Sequence, residues 1–257
     1  MSWVRAMYLE KPSASFSPIQ NGAILSRYAE LAYTPNKSLA VDGWESVDQW
    51  SHEGAHGFVC FSHPVKEPPT IVVAIAGTDD WLDMRHDLNI QASRLASGPS
   101  VHRGFAAHCE HVVLGLKPFR SLWSKDGANL WVVGHSLGGA AAVVLPLLAT
   151  LPKACHVVTY GAPPAIAQGF GATYMGRVTR FAHICDWVPK VYRKWYEHVG
   201  RPFWLRGRDK VSGSPSVIHS AKAWIAKAWR NIHSGFLDST KHYHSMTNYR
   251  TLLEAAA

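Results

Sequence analysis

Apolar and polar positions alternate along this chain in two periods. TIVVAIAG (residues 70–77) is apolar almost throughout, the pattern of a strand buried on both faces. HGFVCF (56–61) reads as a second strand, joined to it through a turn containing Pro68 and Pro69. Before them, NGAILSRYAELAYTP carries a helical period between Pro18 and Pro35. After them, Val101 to about Trp123 reads as one long helix, with Phe105, Val112, Val113, Leu116 and Phe119 on its apolar side. A β-branched run, LWVV, then breaks at Gly134, and a long apolar helix begins just beyond it. CHVVTYGAPP (155–164) is a strand stopping at Gly161, RVTRFAHICDWVP (177–189) is another, and HVGRPFWLRG is the candidate last strand. Helices over about 217–233 and 244–256 close the chain. Strand and helix alternate without repeat or low-complexity linker, which predicts one α/β domain over residues 1–257. Its sheet should be mostly parallel, with helices on both faces.

The break at Gly134 is where chemistry enters. Gly134-His135-Ser136-Leu137-Gly138 fits G-x-S-x-G, a turn so sharp that neighbouring Cβ atoms would collide. Such a turn lifts a serine Oγ above the sheet and aims the Leu137 amide, at a helix N-terminus, toward a developing oxyanion. No G-K-[ST] follows, so the run is not a phosphate-binding Walker loop.

A nucleophilic serine needs a base within reach, and the base needs an acid to fix its tautomer. Asp186 ends an apolar run and His244 heads the closing helix, giving the chain order Ser136, Asp186, His244. On spacing alone, Asp238 competes for the acid, and His242, His219 or His233 for the base. His135 and Trp187, beside the serine and the acid, are candidate pocket residues.

The composition, 47% hydrophobic and 17% charged, is that of a globular protein. A net charge of +8 favours anionic surfaces. No zinc-finger spacing, RRM signature or long basic helix is present, so phospholipid headgroups are the better match than nucleic acid. SAKAWIAKAWRNIH sets Trp224 and Trp229 opposite Lys222, Lys227 and Arg230. That helix is either packed on the sheet or laid on an anionic interface. The four cysteines, Cys60, Cys109, Cys155 and Cys185, form no C-x-x-C and read as buried free thiols, three in strands and one in a helix. Asp79, Asp80, Asp83 and Asp87 lack the glycine and glutamate of a calcium loop, so neither metal nor cofactor is expected. No apolar run of about 18 residues exists to span a membrane, and the N-terminus shows no secretory core. A cytoplasmic location is the expectation, with signal-independent export open. Nothing in the sequence sets an oligomeric state.

Six blocks then fall in one order. IAGTDDWLDMRHDL, VHRGF, VVGHSLGGA, VVTYGAPP, RFAHICDWVPKV and HSMTNYRTLL resemble the blocks of the class 3 lipase family, between about residues 71 and 253. The resemblance implies an α/β-hydrolase fold and a cofactor-free serine hydrolase acting on lipid or small carboxylic esters. It matches Ser136 to the nucleophile, Asp186 to the acid and His244 to the base. Thr78 and Leu137 match the two oxyanion residues. Residues 79–92 stand where the family carries its lid, with Trp81, Leu82 and Met84 as lid or pocket candidates. The same side chains would also suit packing beneath the long helix. Three positions depart from the family pattern: Ala76 for Arg, Met84 for Trp and Tyr160 for Phe.

Overall fold

The computed structural model describes residues 7–34, 41–42, 44–63, 68–78, 91–124, 127–152, 155–170, 177–206, 211–212 and 241–257. Strands β1 (Met7–Tyr8) and β2 (Val41–Asp42) pair in parallel on either side of helix α1 (Pro18–Leu31) in sequence. Local chemistry sets the start of α1. Ser17 Oγ accepts from the Gln20 amide, the Gln20 side chain accepts from the Ser17 amide, and Pro18 opens the first turn.

Next come β3 (Ser46–His52) and β4 (Ala55–Ser62), an antiparallel hairpin turned on Glu53 and Gly54, and then β5 (Thr70–Ile75). Beyond them lie β6 (Ala92–Arg94), β7 (Ser100–His102), helix α2 (Arg103–Gly115), a 3-10 turn at Lys117–Phe119 and the short α3 (Arg120–Trp123). The second half runs β8 (Asn129–His135), α4 (Leu137–Leu148), β9 (Cys155–Tyr160), β10 (Ile166–Ala167) and β11 (Val178–His183). It ends with β12 (Tyr196–Glu197), β13 (Arg201–Leu205), β14 (Val211–Ser212), a helical segment at 241–244 and helix α5 (Met246–Glu254).

The main sheet has the order β14-β13-β11-β9-β8-β5-β4-β3. Its five middle strands, β13 to β5, are parallel, while β3, β4 and β14 are antiparallel additions at the edges. This is the mostly parallel sheet that the alternation of elements predicts, and it fits the α/β-hydrolase fold that the resemblance implies. Successive side chains feed opposite faces. Ile71, Val73 and Ile75 join Leu130 and Val132 under α2 and α4, whereas Val72 and Ala74 join Trp131 and Val133 under α1 and α5. Both faces are covered, which is why these strands read as continuous apolar runs.

Several expectations are corrected. The stretch from Val101 to Trp123 is not one helix: β7 occupies its start, and the chain re-forms around Pro118 in a 3-10 turn. A small antiparallel sheet, β12-β10-β7-β6, uses that β7 segment. The hairpin strand β3, polar at five of its seven positions, has no counterpart in the apolar pattern because it lies at the sheet edge. β13 is followed by β14 and so is not the last strand. Cys185 sits in the turn after β11 rather than in a strand, and all four cysteines are buried and free. The helix expected at 217–233 lies outside the described residues. Among the described residues, no helix is long and apolar enough to cross a membrane.

Candidate active site

Ser136 joins β8 to α4 with φ 56° and ψ −124°, a backbone region that L-residues avoid. The strain is held from both ends. Its amide donates to the Tyr160 carbonyl at 3.0 Å on β9, and its carbonyl accepts the first helical bond, from Ala140, at 3.1 Å. The flanking glycines permit the turn. A Cβ at Gly134 would strike the Gly138 carbonyl, and one at Gly138 the carbonyls of Ile75 and Ala76. Holding a serine in such a conformation costs on the order of 1–3 kcal/mol, supplied by the packing around it.

Asp186 follows β11 through a turn in which its amide donates to His183 O at 3.0 Å. Its carboxylate is fully buried and takes three donors. The Val188 amide reaches Oδ1 at 2.9 Å, and the Tyr249 hydroxyl and His244 Nδ1 each reach Oδ2 at 2.8 Å. A buried carboxylate is tolerable only when satisfied in this way. The remaining nitrogen of His244, Nε2, stands 2.8 Å from Ser136 Oγ. Because Asp186 accepts from Nδ1–H, neutral His244 presents Nε2 as an acceptor to the serine hydroxyl.

A second histidine holds the first in place. His135 Nε2 is 2.6 Å from the His244 carbonyl, and Tyr33 Oη is 2.6 Å from His135 Nδ1. A carbonyl only accepts, so Nε2 carries the proton and Nδ1 accepts from the tyrosine. Burial, with His244 alongside, pushes the His135 imidazole well below its usual range and keeps it neutral. His135 is therefore buried with both ring nitrogens engaged, one of them on the backbone of His244.

Tyr249 plays a parallel part at the acid: its hydroxyl donates to Asp186 and accepts from the His183 amide at 2.8 Å. Gly161 closes the arrangement. It has φ 57°, and a Cβ there would stand 3.0 Å from Asp186 Oδ2 and 3.1 Å from the His244 ring.

Of the sequence candidates, Ser136, Asp186 and His244 come together. Thr78 and Leu137 leave the sheet at one end, because β5 and β8 are parallel neighbours with Ile75 opposite Gly134. Thr78 lies three residues past the end of β5 rather than on the strand, half-buried, and Leu137 is the buried first residue of α4. Trp187 is half-buried and packs on the apolar cluster beneath α4. The ring of His242 packs on Tyr243, two residues before the histidine that reaches Ser136. Trp81, Leu82 and Met84, residues 79–90 of the expected lid, and the competitors His219, His233 and Asp238 lie outside the described residues. Tyr33, Tyr249 and Gly161 received no role in the sequence reading. Their partners are 25 or more positions away in the chain, and the sequence blocks VVTYGAPP and HSMTNYRTLL marked only Gly161 and Tyr249, without these contacts.

The family model described as lipase (class 3) matches residues 72–194. That stretch of the chain matches the class 3 lipase family. The matched span holds Thr78, Ser136 and Asp186, and the hydrogen bonds above tie in His244 and Tyr249 beyond its end. The reaction of this lipase is ester hydrolysis of the lipase type. Among solved structures, lipase II from Rhizopus niveus is similar at 23% identity and TM-score 0.61, over 76% of this chain and 84% of that one. A lipase from Rhizopus microsporus var. chinensis is similar at 21% identity and TM-score 0.64, over 87% and 93%. A triacylglycerol lipase described as having a serine protease triad at its catalytic centre aligns at 17% identity and TM-score 0.63, over 94% and 99%. At these identities the likeness is one of fold. No curated protein matches the chain in sequence.

Proposed function

We propose that Ser136 is the nucleophile of this lipase, His244 its base and Asp186 its acid, acting on carboxylic esters of lipids. The observation that carries this reading is the pair of 2.8 Å contacts through the two nitrogens of His244, from Ser136 Oγ to Asp186 Oδ2. Ser136 attacks the ester carbonyl as its proton passes to His244 Nε2. Asp186 fixes the tautomer and stabilises the imidazolium without itself taking the proton. The amides of Thr78 and Leu137 receive the oxyanion, the second at a helix N-terminus. His244 returns the proton to the leaving alcohol, then activates the water that cleaves the acyl-enzyme. No cofactor enters these steps.

We further assign an anionic interface as the surface on which the substrate is met. The net charge of +8 supports this. So does a patch in which Trp195, 47% exposed, and Phe170, 37% exposed, neighbour Arg193 and Lys194. The Gln168 amide donates to Trp195 O at 3.3 Å and ties the two segments. Aromatic rings beside cations suit headgroup depth on an acidic membrane.

Folded protein is expected to label with a fluorophosphonate probe and to hydrolyse p-nitrophenyl esters, with Ser136→Ala losing both. Asp186→Asn and His244→Ala should each lower kcat by roughly 10³-fold or more. Full turnover by Ser136→Ala would overturn the assignment. For the surface, sedimentation with phosphatidylglycerol vesicles should be clear at low salt and mostly lost near about 0.5 M, where the Debye length has shrunk well below 10 Å. Trp195→Ala should weaken it while leaving turnover of a soluble short-chain ester unchanged.

A further inference from the structure

The hairpin between β3 and β4 meets the flank of α2 at a cluster the ester chemistry does not use. His52 ends β3, Glu53 is the first residue of the two-residue turn, and His111 faces them from α2. One ligand atom from each lies within 4.8 Å of the other two. The rings of His52 and His111 are 5.8 Å apart between centroids. His111 Nδ1 stands 3.5 Å from Glu53 Oε2, too far for a good hydrogen bond. It is also the separation of two ligands on a tetrahedral metal, about 3.4 Å for bonds near 2.1 Å.

Two further features point to a bound cation. His111 Nδ1 is cut off from solvent, and no described residue hydrogen-bonds to it. A buried polar atom left so is costly and calls for a partner. Glu53 also holds φ 43° where the turn favours glycine, asparagine or aspartate. That placement carries its carboxylate to the two imidazoles.

We propose that His52, Glu53 and His111 form a site for a divalent transition metal, pinning the β3–β4 hairpin to α2. Two imidazoles and a carboxylate suit zinc and its first-row neighbours rather than calcium or magnesium, with water completing the shell. In the sheet, β5 and β4 separate β3 from β8, the strand that leads into Ser136. The ion therefore serves the fold and takes no part in the ester chemistry.

The test is calorimetric titration of chelator-treated, full-length protein with Zn²⁺, alongside variants. Wild type should take up one tight Zn²⁺ per chain and gain thermal stability from it. His52→Gln and His111→Gln should each weaken that phase about tenfold or more, while His56→Gln, on the same hairpin but outside the ligand set, should match wild type. Glu53→Gly separates binding from folding, because glycine suits the turn: the metal-free variant should be at least as stable as wild type and still lose affinity. Metal-free turnover of a soluble ester should be the same in all four. Wild-type binding no tighter than that of the His52→Gln/His111→Gln double variant would overturn the site. So would Glu53→Gly or the single histidine variants binding as wild type does.

Discussion

The imidazole of His135 donates to the backbone carbonyl of His244 across 2.6 Å, so the residue before the serine holds the residue that faces it. The two rings lie 4.6 Å apart between centroids, and Tyr33 anchors the far side of His135. The position of His244 Nε2 over Ser136 therefore depends on a chain of three side chains, two of them outside the serine–histidine–aspartate set.

His135→Phe, which fills the space but removes the donor, should lower kcat by roughly 10- to 100-fold with little change in KM, as a loosened base would. His135→Gln, which keeps an N–H, should recover part of that loss. Tyr33→Phe should cost less than His135→Phe. Steady-state kinetics on a soluble ester separates these outcomes, and a rise in KM with unchanged kcat would assign His135 to binding instead.

Tyr249→Phe removes one donor from Asp186 and leaves the buried His183 amide without its acceptor. The lost bond should destabilise the protein by about 1–3 kcal/mol. With fewer donors competing, the carboxylate holds the His244 imidazolium more strongly. The acid limb of the kcat/KM profile should therefore move to higher pH. A loss of stability with an unmoved profile would make Tyr249 purely structural.

Ser136 stores strain at φ 56°. Ser136→Gly should abolish turnover yet raise stability by about 1 kcal/mol, since glycine occupies that region without steric cost. Ser136→Ala keeps the Cβ and should gain less. Thermal melts of the two variants beside wild type give the comparison, and a lower midpoint for the glycine variant would mean that the backbone there is relaxed.

Stability should fall in mild acid. Burial pushes the His183 imidazole down to about 4, so between pH 6.5 and 4 the unfolded chain binds a proton that the folded chain refuses. Stability is complete above about 6.5 and declines as pH drops toward 4, by on the order of 3 kcal/mol for this residue. His102, fully buried against Phe105, is held at about 4 by burial as well and acts in the same direction. Urea midpoints at pH 7.5 and 5 should show the fall. His183→Asn, which still offers an acceptor to the Cys185 amide, should make it shallower.

Residue patterns within a few positions of one another carried much of this protein. The elbow was legible because Gly134, Ser136 and Gly138 act on each other through the backbone of a single turn. The doubly buried strands β5 and β8 were legible because both of their faces are apolar. Edge strand β3 was not, since SVDQWSH buries little and reads as loop. The run from Val101 to Trp123 misled because helical periodicity persists across a strand and a 3-10 turn that pair or pack with distant segments.

Chain order alone left Asp186 beside Asp238, and His244 beside His242, because a side chain's direction depends on where its element docks. Two residues along a helical segment rotate a side chain by about 200°, enough to turn a base away from its serine. Ordered sequence blocks narrowed that choice by resemblance. The approach of His244 Nε2 to Ser136 across 108 positions, and of its Nδ1 to Asp186 across 58, is set by α5 packing against α1 and β13. The supports at Tyr33, His135 and Tyr249 exist only after that packing. The sequence determined the turn that presents the serine, and the tertiary structure decided what surrounds it. The turn is a property of local sterics, whereas each hydrogen bond to its partners requires parts of the chain that meet only in the folded state.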